Sequence, residues 1–286
     1  MKKNGFVLSL IPVLLLFACN SARTSSAEEI TQDSSSVAEV ISPESKFVET
    51  QFYSSAMGQT RTIAVYIPAN YSESNTYKVI YTEDGLVFAT GNYKELLDSL
   101  IAGGMIQPVI VACSYENKDR IPGTGYAYRN AEYVEDIAKS SPVLQQIFDS
   151  HMNYFLHEFI PYIESNYSVS KKREDRIYYG TSNSADFGLT LSFRSQDLFA
   201  EYWCFSPVYS VLWDYAPLAQ STGYFINWGT GEQKGDRLVY FHNLTDFLKK
   251  SGGNVRQWTF NGGHDRPKWR EEFSKLAQER LSRIPE

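Results

Sequence analysis

The chain has 286 residues, a formal charge of −6 and 43% hydrophobic residues, with 15% aromatic. That length suits one large domain with a sizeable core. No basic stretch is interleaved with aromatics, so the composition argues against nucleic acid as a partner.

The first twenty residues, MKKNGFVLSLIPVLLLFACN, have a basic start and a short apolar run. The run is too short for a bilayer-spanning helix and reads as a secretory signal over 1–18. Cys19, directly after Leu16-Phe17-Ala18, resembles the cysteine of a bacterial lipobox. That likeness implies cleavage before Cys19, acylation of its thiol and a lipid-anchored place in the bacterial cell envelope. Residues 19–45 are Ser-rich and polar and read as a flexible tether. The folded domain is expected over 46–286.

From Lys46 the pattern alternates strands and helices. KFVETQFYSS and TRTIAVYIP read as two strands joined at AMGQ, and YKVIYTEDG as a strand ending in a turn. NYKELLDSLIAGG reads as a helix stopped by Gly103-Gly104. QPVIVACSYE is nearly all apolar, as a strand buried on both faces requires. Residues 115–140 read as a long polar-aromatic loop. A long helix follows, with Ser141 as N-cap, Pro142 at its first position and a kink or restart at Pro161. Four strands, three of them followed by a helix, complete the chain: RIYYG with SADFGLTLSFRSQ, then AEYWCFSP alone, then GYFINWGTGE with DRLVYFHNLTDFLKKSGG, then NVRQWTFNGG with the last helix. Repeated β-then-α predicts a mostly parallel sheet covered on both faces, with its chemistry at the carboxyl ends of the strands.

Three of those ends carry groups that act together elsewhere. Ser182 follows RIYYG, Glu232 follows GYFINWGTG and His264 follows VRQWTFNGG. A serine hydroxyl needs a neutral imidazole to take its proton, and the imidazole needs a carboxylate on its other nitrogen. The order Ser, acid, His is that of α/β-hydrolases. Gly180-Thr181-Ser182-Asn183-Ser184 matches the nucleophile elbow G-x-S-x-G except at its last position. Asp236 is the alternative acid, but it stands near a helix start, where an acid is an ordinary first-turn residue. His151 and His157, six apart on one helix, do not share a face and make poor metal partners. Like His242, they read as ordinary helix residues. No metal and no cofactor are called for.

These stretches, with RTIAVYIPANY, YRNAEY, LFAEYWCFSPVY and GGHDRPKWR, resemble the putative-esterase family of α/β-hydrolases, which includes enterochelin, feruloyl and carbohydrate esterases. The likeness covers roughly residues 46–280. It implies an α/β-hydrolase fold and a serine esterase with Ser182 as nucleophile, His264 as base and Glu232 as acid. It implies oxyanion donors at the backbone N–H groups of Leu86 and Asn183. Siderophore or carbohydrate (feruloyl-type) esters are the implied substrates. Two departures stand out: Ser184-Ala185 replaces a pair of glycines, and Arg266 stands where many relatives carry Trp. In that fold Cys113 and Cys204 end strands that are not neighbours, so two free thiols are expected. Tyr128, Arg129, Tyr133 and Trp203 are candidate substrate contacts, with loop or core packing as the other use of the aromatics. The competing readings are a non-catalytic ligand-binding lipoprotein on a hydrolase scaffold and an acyltransferase.

Overall fold

A computed structural model describes residues 43–282; the signal segment, Cys19 and nearly all of the tether lie outside the described residues. The strands are β1 (Lys46–Ser54), β2 (Gln59–Ile67), β3 (Lys78–Thr82), β4 (Val109–Ser114), β5 (Arg176–Thr181), β6 (Glu201–Phe205), β7 (Gly223–Gly229) and β8 (Asn254–Phe260). They form one sheet in the order β1-β2-β4-β3-β5-β6-β7-β8. β2 pairs antiparallel with β1 and β4, and every other pairing is parallel.

The helices are α1 (Gly85–Thr90), α2 (Tyr93–Ala102), α3 (Tyr128–Tyr133), α4 (Glu135–Ala138), α5 (Pro142–Tyr154), α6 (Ile160–Asn166), α7 (Asn183–Arg194), α8 (Asp236–Lys250) and α9 (Arg266–Arg280). They cover both faces of the sheet. Phe148 of α5, Phe187 of α7 and Leu244 of α8 belong to one core layer, which takes Tyr178 of β5. Leu97 of α2 and Phe273 of α9 belong to the other, which takes Tyr179. Successive strand side chains point to opposite faces, so adjacent tyrosines serve opposite cores. β4 is buried along its whole length, as a strand covered on both faces must be.

Two local features differ from the sequence expectation. The segment 115–140 holds α3 and α4, which are too short to show a helical repeat in the sequence. The turn after β3 continues into α1, entered through Asp84 at φ 58°. The kink or restart expected at Pro161 takes the form of a π-turn over Phe155–Phe159 that joins α5 to α6, with Ile160 N–H bonded to Phe155 C=O. Proline supplies no N–H to the preceding turn, and a π-turn absorbs that loss without ending the helix. At the other end Ser141 Oγ accepts Leu144 N–H at 3.2 Å, an N-cap. Cys113 and Cys204 are buried and free, with β3 and β5 lying between their strands. Among the described residues no helix is long and apolar enough to cross a membrane.

Candidate active site

Ser182 sits at the β5–α7 junction with φ 56° and ψ −128°, a conformation that costs a non-glycine residue strain. Its neighbours hold it there. Ser182 N–H bonds Phe205 C=O at 2.9 Å, tying the elbow to the end of β6. A Cβ at position 180 would stand 2.4 Å from Ser184 C=O oxygen, so only glycine lets the helix start this close to the strand. Ser184 Oγ donates to Thr181 C=O and accepts Thr181 N–H, each at 2.8 Å. The residue that breaks the motif therefore closes the turn through its own hydroxyl. Asn183 is the first residue of α7, where a backbone N–H has no acceptor within the helix and faces outward from the N-terminus.

His264 and Glu232 meet Ser182 from the ends of β8 and β7. His264 Nε2 is 2.8 Å from Ser182 Oγ, and Nδ1 is 2.7 Å from Glu232 Oε1. The loop carrying His264 reaches this position by lying on the end of β7. Gly231 N–H bonds Gly262 C=O at 2.7 Å, and a Cβ on Gly229 would be 2.3 Å from the same oxygen. Glu232 is buried, and its Oε2 accepts Ser206 Oγ–H and Gly229 N–H, both at 2.7 Å. Burial pushes its carboxyl up, but the hydrogen bonds from His264, Ser206 and Gly229 together hold it below the ordinary value. Asp236 is exposed in the first turn of α8, apart from this cluster.

Ser206 and Trp269 belong to the same cluster, and no sequence signal had picked out Ser206. Trp269 Nε1–H donates to Ser206 Oγ at 2.9 Å, which in turn donates to Glu232. The Trp269 ring also stands edge-on to His264, with centroids 4.6 Å apart. Asp186, buried in the first turn of α7, accepts Val208 N–H, Tyr209 N–H and Ser210 Oγ–H, which secures the loop after Ser206.

A cleft of about 240 Å³ opens over Ser182, lined also by Glu116, Arg129, His264, Arg266 and Trp269. Of the four proposed substrate contacts, only Arg129 lines it. Arg129 is paired with Asp84 through both carboxylate oxygens at 2.5 Å. Tyr128 packs with the small cluster of Ile121, Ala131 and Leu144. Tyr133 and Trp203 are corrections to the sequence reading, since both are 0% exposed. Trp203 lies within β6 and packs on Phe273, because a residue two before the strand end points into a helix-covered face rather than into the cleft. Tyr133 points inward and donates to Glu83 Oε2 at 2.9 Å.

That bond belongs to a buried polar network behind the cleft. Arg61 pairs with Glu132 through two bonds of 2.8 and 3.1 Å, and His151 Nε2 lies 3.0 Å from Glu83 Oε1. Tyr133 Oη also accepts Asp84 N–H at 3.4 Å, so the network braces the left-handed residue that opens α1. His151 is thus no ordinary helix residue; its partners come from the turn after β3 and from α3, far away in sequence. Leu86 N–H, read as an oxyanion donor, bonds Glu116 Oε2 at 3.3 Å in this structure. Among the described residues no group of His, Cys, Asp and Glu is arranged to hold a metal ion.

A family model described as "Putative esterase" matches residues 54–279, most of the chain. The chain belongs to this family. The fold is shared with esterases of known structure. A ferulic acid esterase is 18% identical with a TM-score of 0.63, covering 84% of this chain and 98% of that one. The BES protein from Bacillus cereus is 17% identical with a TM-score of 0.62, covering 92% and 100%. The feruloyl esterase module from Clostridium thermocellum, a mutant complexed with sinapinate, is 16% identical with a TM-score of 0.62, covering 85% and 92%. A Bacillus subtilis (strain 168) relative, named uncharacterized protein YjcH, is 24% identical over 162 residues, which span 56% of this chain and 60% of that protein. The family is one of carboxylic-ester hydrolases, and its α/β-hydrolase architecture is the one described above.

Proposed function

We propose that the protein is a serine esterase that cleaves carboxylic esters through an acyl-enzyme. The observation that carries this reading is the continuous hydrogen-bonded line from Ser182 Oγ through His264 to Glu232. Ser182 attacks the ester carbonyl while His264 Nε2 takes its proton. Glu232, with its carboxyl held ionised by Ser206 and Gly229, keeps Nδ1 protonated and stabilises the imidazolium. The tetrahedral oxyanion is bound by Asn183 N–H at the start of α7, and by Leu86 N–H once the Glu116 carboxylate moves off it. His264 then returns the proton to the leaving alcohol, and water resolves the acyl-enzyme.

Feruloyl-type carbohydrate esters or siderophore esters are the proposed substrate classes; the ferulic acid esterases of shared fold support the first. Export and lipid anchoring at Cys19, on the bacterial cell envelope, complete the reading and rest on the N-terminal sequence. The test is hydrolysis of p-nitrophenyl acetate. Wild type is expected to turn over, and Ser182→Ala to lose about 10³-fold or more in kcat. Equal rates in the two proteins would sink the esterase reading. Transfer of the acetyl group to an added alcohol in preference to water would favour an acyltransferase.

A further inference from the structure

The charges around the cleft do not cancel. Asp84 is paired with Arg129 at 2.5 Å, and Glu116 with Lys118 at 2.7 Å. Arg266 lines the same cleft, is exposed, and makes no ion pair or hydrogen bond among the described residues. An arginine with no partner among the described residues contributes nothing to their fold that its charge is needed for.

A second cleft, of about 230 Å³, adjoins the first, with Val87 and Arg266 lining both. Arg270 lines its far side, together with Thr90, Asn92 and Pro267, and no acidic side chain does. Arg270 spends one donor on Gly91 C=O at 2.9 Å and has no carboxylate partner among the described residues. Tyr93, at the floor of this cleft, feels the same field. Burial raises its hydroxyl to about 12, and the positive charges of Arg270 and Arg266 pull against that rise. Two guanidinium groups thus face one groove beside the nucleophile, with their donor edges unspent on anions.

The direction of the chemistry says which half of the ester reaches this groove. His264 must hand its proton to the leaving alcohol, so the alcohol lies on the His264 side of Ser182. Arg266 opens α9 two residues beyond His264. We propose that Arg266 and Arg270 form a subsite for an anionic group, such as a carboxylate, carried by the alcohol half of the ester substrate. The assignment rests on the esterase reading above and sharpens its specificity. An uncharged side chain at position 266 would leave this rim with one positive charge fewer, so the arginine changes which alcohols the cleft selects.

The experiment compares 3- and 4-acetoxybenzoate with the matched neutral 3- and 4-acetoxybenzamide, reading the ratio of kcat/KM. Wild type is expected to favour the acid about tenfold for at least one isomer, the gain of a charge-assisted hydrogen bond in a part-open cleft. The preference should shrink as sodium chloride is raised. Arg266→Gln should lower the ratio, and Arg266→Glu should turn it below one. A wild-type ratio near one, or a ratio indifferent to Arg266→Glu, overturns the subsite. Binding separates this failure from failure of the esterase reading. Titration calorimetry on Ser182→Ala protein should show 4-hydroxybenzoate binding more tightly than 4-hydroxybenzamide, with the difference lost in the Ser182→Ala, Arg266→Gln double variant. If none of the esters is cleaved, the esterase reading falls, and this binding difference alone decides the subsite.

Discussion

Ser184 shows how one side chain can stand in for the freedom of a glycine. The motif's last glycine exists to let a helix begin against a strand. Here Gly180 supplies the clearance and Ser184 fastens the turn, bonding both the N–H and the C=O of Thr181. Ser184→Ala leaves those two buried backbone groups unpaired, which costs about 2 kcal/mol. Its melting temperature should fall by roughly 5 °C, read by calorimetry; an unchanged melting temperature would mean the hydroxyl does not hold the elbow. Glu232 gives a second prediction at this scale, with a definite sign. Its carboxyl is held below its ordinary value of 4.5, so the ionised group stabilises the fold above that pH. This contribution is lost as pH falls through the lower folded value. Urea denaturation of wild type and Glu232→Gln should therefore give stabilities that differ near neutrality and converge below about pH 4. A gap that persists or widens in acid would contradict it.

The secondary-structure elements do the placing, and they do it by close backbone approach. β5 hands Ser182 to α7 through a strained residue, and β7 carries the His264 loop directly on its last glycine. Gly229→Ala would set a methyl group 2.3 Å from Gly262 C=O oxygen, and that loop must lift. A displacement of about 1 Å at His264 is expected to lower kcat/KM by roughly 10²-fold, while far-ultraviolet circular dichroism stays close to wild type. Full activity in this variant would show that the loop adapts without moving His264. α1 and its left-handed entry residue Asp84 are braced from behind by Tyr133, Glu83 and His151. None of this was legible in the sequence, because Glu83, Tyr133 and His151 come from three segments whose spacing carries no pattern. The same holds for α3 and α4, six and four residues long, whose helices depend on tertiary packing rather than on their own periodicity.

At the scale of the whole molecule, a parallel sheet with a core on each face gathers three strand ends at one edge. The proposed anchor would hold that domain at a membrane by lipid alone. Cys19→Ser should then move the protein from the membrane pellet to the soluble fraction, followed by immunoblot after fractionation; retention in the pellet would argue for another mode of attachment.

The sequence by itself determined the order of the strands and of the longer helices, and with it the sheet type, because hydrophobic periodicity and glycine punctuation are local signals. It also placed Ser182, Glu232 and His264 after three of the strands, β5, β7 and β8, since an α/β chain must turn at each strand end. Tertiary structure alone decided the rest. It turned Tyr133 and Trp203 into the core, enlisted Ser206 beneath Glu232, engaged Leu86 N–H with Glu116, and left Arg266 beside Arg270 without a counter-charge. Burial, close approach and unpaired charge are properties of surfaces brought together from distant segments, and a one-dimensional pattern does not carry them.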